Sequence, residues 1–364
     1  MNHRGEDMDC SQRGHLMPPC NHRSAGARGA FRRGLLAGML FILSGCQIGP
    51  AGPAATADTF TYQGNPLIRT EFTADPAPLV VGDTLYLYAG HDEASGSQMF
   101  NITEWLAYST KDMREWTAHG PIMQPTDFGW AVRDAWASQV HEKDGRFWFY
   151  TAVEHDPAQG SAGKAIGVAV ADSPLGPFRD AKGSALVRNE DTDGPHHWDD
   201  IDPTVWTEDD GQSWLVWGNG NCYFAPLADD MISFSGPIRT IDLPDFEEGP
   251  WVFRREGLYY LIYASRDEAI DPDERISYAT APAITGPWTW RGEVTGSAEN
   301  SFTIHPGVAE FGDEWYLFYH VGTLQIGEQS GGLGRRAVAV ERLEFAEDGL
   351  ILPVAQTDAG ILRP

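Results

Sequence analysis

Basic residues are scarce in this chain. Its 364 residues carry 26 Lys and Arg against 52 Asp and Glu, a formal charge of −26. Nucleic acid and anionic lipid both need a basic face, so neither is an expected partner. Cysteine is scarce too. Cys10, Cys20 and Cys46 fall within the first 46 residues, which leaves Cys222 alone and excludes an internal disulfide in the remainder. No amphipathic stretch of helix length follows, and no phosphate loop, nucleophile elbow or zinc-ligand spacing occurs. What is plentiful is apolar and aromatic mass, 42% and 12% of residues, enough for a large core.

Residues 1–46 read as a processing segment. Arg32-Arg33 precedes an apolar run over 34–42 that is too short for a transmembrane helix. The run leads into Leu43-Ser44-Gly45-Cys46, which resembles the bacterial lipoprotein box, where the cysteine becomes the lipidated N-terminus. The expectation is an exported monomer of the bacterial envelope, or a secreted one, touching a membrane only through a lipid on Cys46. Residues 47–64, rich in Ala, Gly, Pro and Thr, read as a tether, and 65–364 as the folded domain.

That domain is a repeat. Five strand openers, Asp75, Asp134, Asp202, Glu248 and His305, recur at intervals of 46 to 68 residues. Each precedes a turn signal such as Gly82-Asp83 or Asp144-Gly145, then an aromatic-rich strand, then a third strand and a turn ending in an aromatic residue. Two of those turns are near copies: Ser173-Pro174-Leu175-Gly176-Pro177-Phe178 and Ala283-Ile284-Thr285-Gly286-Pro287-Trp288. Five units of four antiparallel strands predict an all-β, five-bladed β-propeller. A β-sandwich does not account for five matching units.

In a propeller, the first residues of each innermost strand face the mouth of the central channel. Carboxylates gathered there cannot all ionise at their usual pKa, because like charges disfavour one another. A split pair of that kind supplies a general acid and a general base, as glycoside hydrolysis requires. Asp-Pro and Glu-Gly-Pro are also common turn words, but three at matching positions are hard to assign to turns alone. His196-His197-Trp198 lacks ligand spacing and reads as a loop at the pocket rim.

At this point the chain resembles glycoside hydrolase family 43, over essentially all of residues 65–355. The words that carry the resemblance are Phe72-Thr73-Ala74-Asp75-Pro76, Asp200-Ile201-Asp202-Pro203, Glu248-Gly249-Pro250-Trp251 and His305-Pro306-Gly307. The resemblance implies an inverting enzyme with Asp75 as general base, Glu248 as general acid and Asp202 as the carboxylate that orients Glu248 and raises its pKa. It implies sugar contacts for Arg336 and His305, and a calcium near His305, usually bound through waters. Trp136, beside Asp134, is expected to stack on a sugar face; both are candidate substrate-binding residues. Trp136-Ala137-Ser138 departs from the family's usual Trp-Ala-Pro, and Ala337 replaces a small hydroxyl residue after Arg336.

Gly90-His91-Asp92-Glu93 and Phe100-Asn101 look like members that act as α-L-arabinofuranosidases or β-xylosidases. Many of the family's β-xylosidases carry a further β-sandwich, and none is apparent here. The expectation is therefore an exo-acting α-L-arabinofuranosidase on arabinoxylan or arabinan. β-Xylosidase or dual activity is the alternative, and a non-catalytic glycan-binding lipoprotein is the competing class. Replacing Asp75 or Glu248 by its amide is expected to abolish turnover and leave stability nearly unchanged.

Overall fold

The computed structural model describes residues 58–362, apart from positions 96–97, 268 and 333. The lipoprotein-type segment and most of the tether lie outside the described residues. The described residues form five antiparallel sheets arranged as a five-bladed propeller, plus a two-stranded ribbon of Gln325–Ile326 and Gln329–Ser330. From innermost strand outward, the first blade runs Thr73–Val81, Thr84–Asp92, Ile102–Thr110 and Glu115–Met123. The third runs Thr204–Thr207, Ser213–Trp217, Cys222–Pro226 and Arg239–Ile241. The fourth runs Phe246–Arg255, Leu258–Ser265, Arg275–Ala281 and Thr289–Thr295. In the second blade the inner strand is broken into Ala131–Arg133 and Ser138–Lys143 around the opener. The fifth sheet has three strands, Gly307–Phe311, Glu314–Val321 and Ala337–Arg342, with an isolated Phe345–Ile351 bridge where a short fourth strand was expected.

Period-two alternation explains why these strands stack as blades. Successive side chains leave a strand on opposite faces, and in a propeller both faces are covered by neighbouring blades. Leu215 and Trp217 pack on Tyr150 and Val168 of the second blade, while Val216 between them packs on Val252 and Leu261 of the fourth. The fifth blade meets the first through Phe318, Val338 and Val340 against Leu85, Leu87 and Tyr108. Each such buried side chain contributes about 1.5–3 kcal/mol relative to exposure. Trp148 and Trp217 lie in these inter-blade layers, with Trp214 and Trp315 partly buried at their margins.

The segment before the first blade closes the ring. Leu67 N donates to Val338 O (2.7 Å) and Thr73 N to Arg336 O (2.8 Å). The buried Asn65 amide bridges the Val340 backbone, Glu341 and Thr357 O. At the mouth, a Cβ on Gly307 would lie 2.3 Å from Pro76 O, so only glycine lets the inner strands of blades five and one approach this closely.

One boundary is corrected. The tether expected over 47–64 gives way to structure by Asp58–Thr61, a fifth strand on the outer edge of the first blade. Phe60 stacks on Trp116 (6.5 Å between centroids), and Tyr62 is buried. The alternation Phe60-Thr61-Tyr62 marked this strand, but the Ala- and Pro-rich composition just upstream masked it.

Candidate active site

Asp75, Asp202 and Glu248, which enter from the first, third and fourth blades, line one cavity of about 400 Å³. Its wall also includes Phe100, Trp136, Trp198, Asn219, Glu247, Arg266, Glu274, Phe302, His305 and Arg336. Local backbone geometry sets the acids. Asp75 (φ 55°), Asp134 (φ 68°) and Asp202 (φ 59°) all adopt the left-handed region, which Asp tolerates better than most residues but at a cost of about 1–3 kcal/mol. A proline follows Asp75 and Asp202 and disfavours ordinary helical turns there. In the fourth blade Gly249 takes the left-handed position (φ 61°), ahead of Pro250. Glu248 is therefore displaced by one residue from its counterparts, and a register shift between Glu248 and Trp251 absorbs the offset.

The electrostatics divide the acids. Burial alone would raise the Asp75 pKa. The Arg336 guanidinium, with Nη1 3.2 Å from Asp75 Oδ1, overrides it and holds the carboxylate well below its usual range. Arg336 is itself clamped by the buried Asp92, whose Oδ2 accepts from Arg336 Nε (2.9 Å) and N (3.0 Å). On the other side of Asp75 lies His320. Its Nδ1 accepts from Asp75 N (3.4 Å) and its Nε2 donates to Thr303 O (3.0 Å), which fits a neutral ring, as burial dictates. Glu248 moves the opposite way. Burial first, then the charges of Asp75 and Glu247, push it up to about 7, although Asn219 donates to it (2.9 Å). Asp202 is also pushed well up, by burial and then by Glu248 and Asp75.

Asp202 is placed to orient Glu248, but through the backbone: its Oδ2 accepts from Gly249 N at 2.9 Å. Glu248 and Asp202 press on one another as like charges in one buried site, and Asp75 and Glu247 add to the rise in Glu248. His305 lies 3.7 Å from Asp202 Oδ2, and burial lowers it to about 4, so its ring is neutral. Trp136 lines the cavity, with Lys164 Nζ 3.7 Å over its ring. Asp134 is the departure. Its carboxylate pairs with the buried Lys164 and with Arg133 and does not line the cavity. A cation in the next-but-one strand drew it away, and nothing near Asp134 in sequence marks Lys164 as its partner.

A calcium ion needs six to eight oxygen ligands. The carboxyl beside His305 is Asp202, already engaged by the Gly249 amide, and among the described residues no three His, Cys, Asp or Glu side chains group to hold a metal. These side chains do not fit a protein-caged calcium. Sequence reading also missed His320, Asn219, Glu247, Glu274 and Phe302. Asp92 lay inside a quoted segment, but its hold on Arg336 spans 244 positions and is invisible locally.

Comparison with known proteins decides the family: residues 63–351 match glycosyl hydrolases family 43. The chain belongs to it. As a member it is a glycoside hydrolase, and it is 29% identical to an arabinoxylan arabinofuranohydrolase of Bacillus subtilis (strain 168), over 89% of this chain and 71% of that protein. It is 27% identical to a xylosidase/arabinosidase of Bacteroides ovatus, over 80% and 98% of the two. A solved β-xylosidase/α-arabinofuranosidase from a compost microbial metagenome, in complex with xylotriose in a calcium-free form, superposes with a TM-score of 0.69. It shares 26% identity, over 82% of this chain and 98% of that one.

Proposed function

We propose that this family 43 enzyme is an exo-acting, inverting glycosidase that releases pentose residues from plant cell-wall polysaccharide, foremost as an α-L-arabinofuranosidase. One observation carries the reading: three carboxyl groups from three blades line one pit, and their protonation is driven apart. Asp75, kept ionised by Arg336, is the base that takes a proton from the attacking water. Glu248, protonated up to about pH 7, is the acid that protonates the leaving glycosidic oxygen. Asp202 fixes the Gly249 amide and so the direction of Glu248.

Among the described residues the buried Arg336 Nη2 has no hydrogen-bond partner, which suits a donor to a sugar hydroxyl. Trp136 and His305 complete the wall, and the exposed Trp198 stands at the rim where the rest of the glycan would leave. A cavity of about 400 Å³ is at the small end of ligand pockets and suits a chain-end residue. Relatives named for both sugars favour β-xylosidase as the second activity. With all three acids present, a purely glycan-binding role is the weaker reading.

Hydrolysis of nitrophenyl α-L-arabinofuranoside and β-D-xyloside ranks the two sugars. Cleavage of neither overturns the proposal. NMR of the first-formed product is expected to show the inverted anomer, and retention would exclude water attack through Asp75.

A further inference from the structure

Arg336 and Glu274 occupy the same place in successive blades. Each immediately precedes the third strand of its sheet, Ala337–Arg342 in the fifth blade and Arg275–Ala281 in the fourth. The ladders agree, with Val321 opposite Ala337 and Ser265 opposite Arg275 as the last pairs at that end. Both residues are 3% exposed, and both line the cavity. The protein satisfies each only in part. Arg336 spends Nε and Nη1 on Asp92 and Asp75, and among the described residues its Nη2 has no hydrogen-bond partner. Glu274 Oε2 accepts from the Ile304 amide at 3.0 Å, and among the described residues no donor reaches its other oxygen.

The hydrolytic scheme gives Glu274 no task. A buried carboxyl with one oxygen tied to the backbone and the other facing a pit is an unfilled hydrogen-bonding position. Resting on the sugar-site reading above, we propose that Glu274 is a second sugar-binding residue, whose free oxygen engages one hydroxyl of the bound pentose while Arg336 Nη2 engages another. The sugar is then held from two blades, across the carboxyls that act on it. Burial, and next the charge of Glu248, push Glu274 well above the usual range, so the neutral acid faces the sugar and donates to a hydroxyl oxygen. A sugar lacking that hydroxyl leaves the acid unpaired, which weakens binding by about 10–100-fold.

The test titrates the wild-type protein, Glu274→Gln and Glu274→Leu with a non-hydrolysable, sulfur-linked pentosyl disaccharide and its monodeoxy analogues, followed by calorimetry. Deleting one particular hydroxyl is expected to weaken wild-type binding about 10–100-fold and to leave the already weaker Glu274→Leu affinity unchanged. Glu274→Gln keeps an acceptor for Ile304 N and a donor for the sugar, and should retain most of the coupling. If every deletion costs both proteins equally, Glu274 only tethers Ile304 and the proposal is overturned. Should Glu274→Leu fail to fold, Glu274→Ala takes its place in the same comparison, with the same outcome overturning the proposal. A wild type that shows the coupling but cleaves no pentoside refutes the hydrolase reading alone. One that cleaves without coupling refutes only this inference, and one that binds no analogue overturns both.

Discussion

Replacing Glu248 by glutamine should make the protein more stable at alkaline pH while removing its activity. In the folded state Glu248 is raised from 4.5 to about 7, whereas in the unfolded chain it returns to its usual value. A raised carboxyl favours folding below the unfolded pKa, and that advantage is lost as pH rises through the folded one. At 1.36 kcal/mol per pH unit, wild type loses up to about 3 kcal/mol between pH 4.5 and 7 on this account. Part of the side chain is open to water in the pit, so roughly half that value is a fair lower figure. Glutamine keeps the shape and an acceptor for Asn219, but it has no charge to bury. Asp202 and Glu274, both raised in part by Glu248, relax in the same direction.

Thermal melts of both proteins at pH 5 and pH 8 check this. The difference in Tm between variant and wild type should be roughly 3–6 °C larger at pH 8, given about 2 °C per kcal/mol for a domain of this size. Parallel pH dependence of the two melting curves would show that Glu248 is not held protonated, and the acid assignment would fall with it.

The pH profile of kcat/KM should fall on the alkaline side near pH 7, where Glu248 ionises, and show no acid limb above about pH 4 because Asp75 is held so low; an acid limb near 6 would contradict the base assignment. Asp75→Asn should lower kcat by about 10²–10⁴-fold and, contrary to the sequence expectation, also destabilise the fold by about 3 kcal/mol at pH 7, since Arg336 loses one of two buried anionic partners. Asp75 contributes its stability above the unfolded pKa and loses it as pH falls through the lower folded value, so urea midpoints of variant and wild type should converge toward pH 2–3; a constant gap would refute the pairing. Treatment with a strong chelator should leave kcat and Tm unchanged, and a loss reversed by added calcium would show that water and backbone oxygens build a site the side chains do not reveal.

Strand positions, turn words and the left-handed acids were legible because their causes are local. Alternation marks a strand over four to eight residues, and Asp-Pro and Glu-Gly-Pro mark where each inner strand opens. The equivalence of Asp75 and Asp202 was readable in that way. The one-residue offset of Glu248 was visible only as an extra glycine before Pro250, and its structural meaning needed the backbone angles. Asp134 shows the limit: it keeps the backbone of its counterparts, but Lys164 takes its carboxylate out of the cavity. Glu274 was overlooked because no word surrounds it, although its place before a third strand matches that of Arg336.

The amino-acid order by itself determined the fivefold repeat, the family and the three acids, since pattern, turn chemistry and spacing are written within each unit. Only ring closure decided their protonation. Arg336 reaches Asp75 across 261 positions, and Glu248 is pressed by Asp75 from another blade as well as by its neighbour Glu247. Burial and through-space charge depend on which blades face one another, and no stretch of sequence encodes that alone.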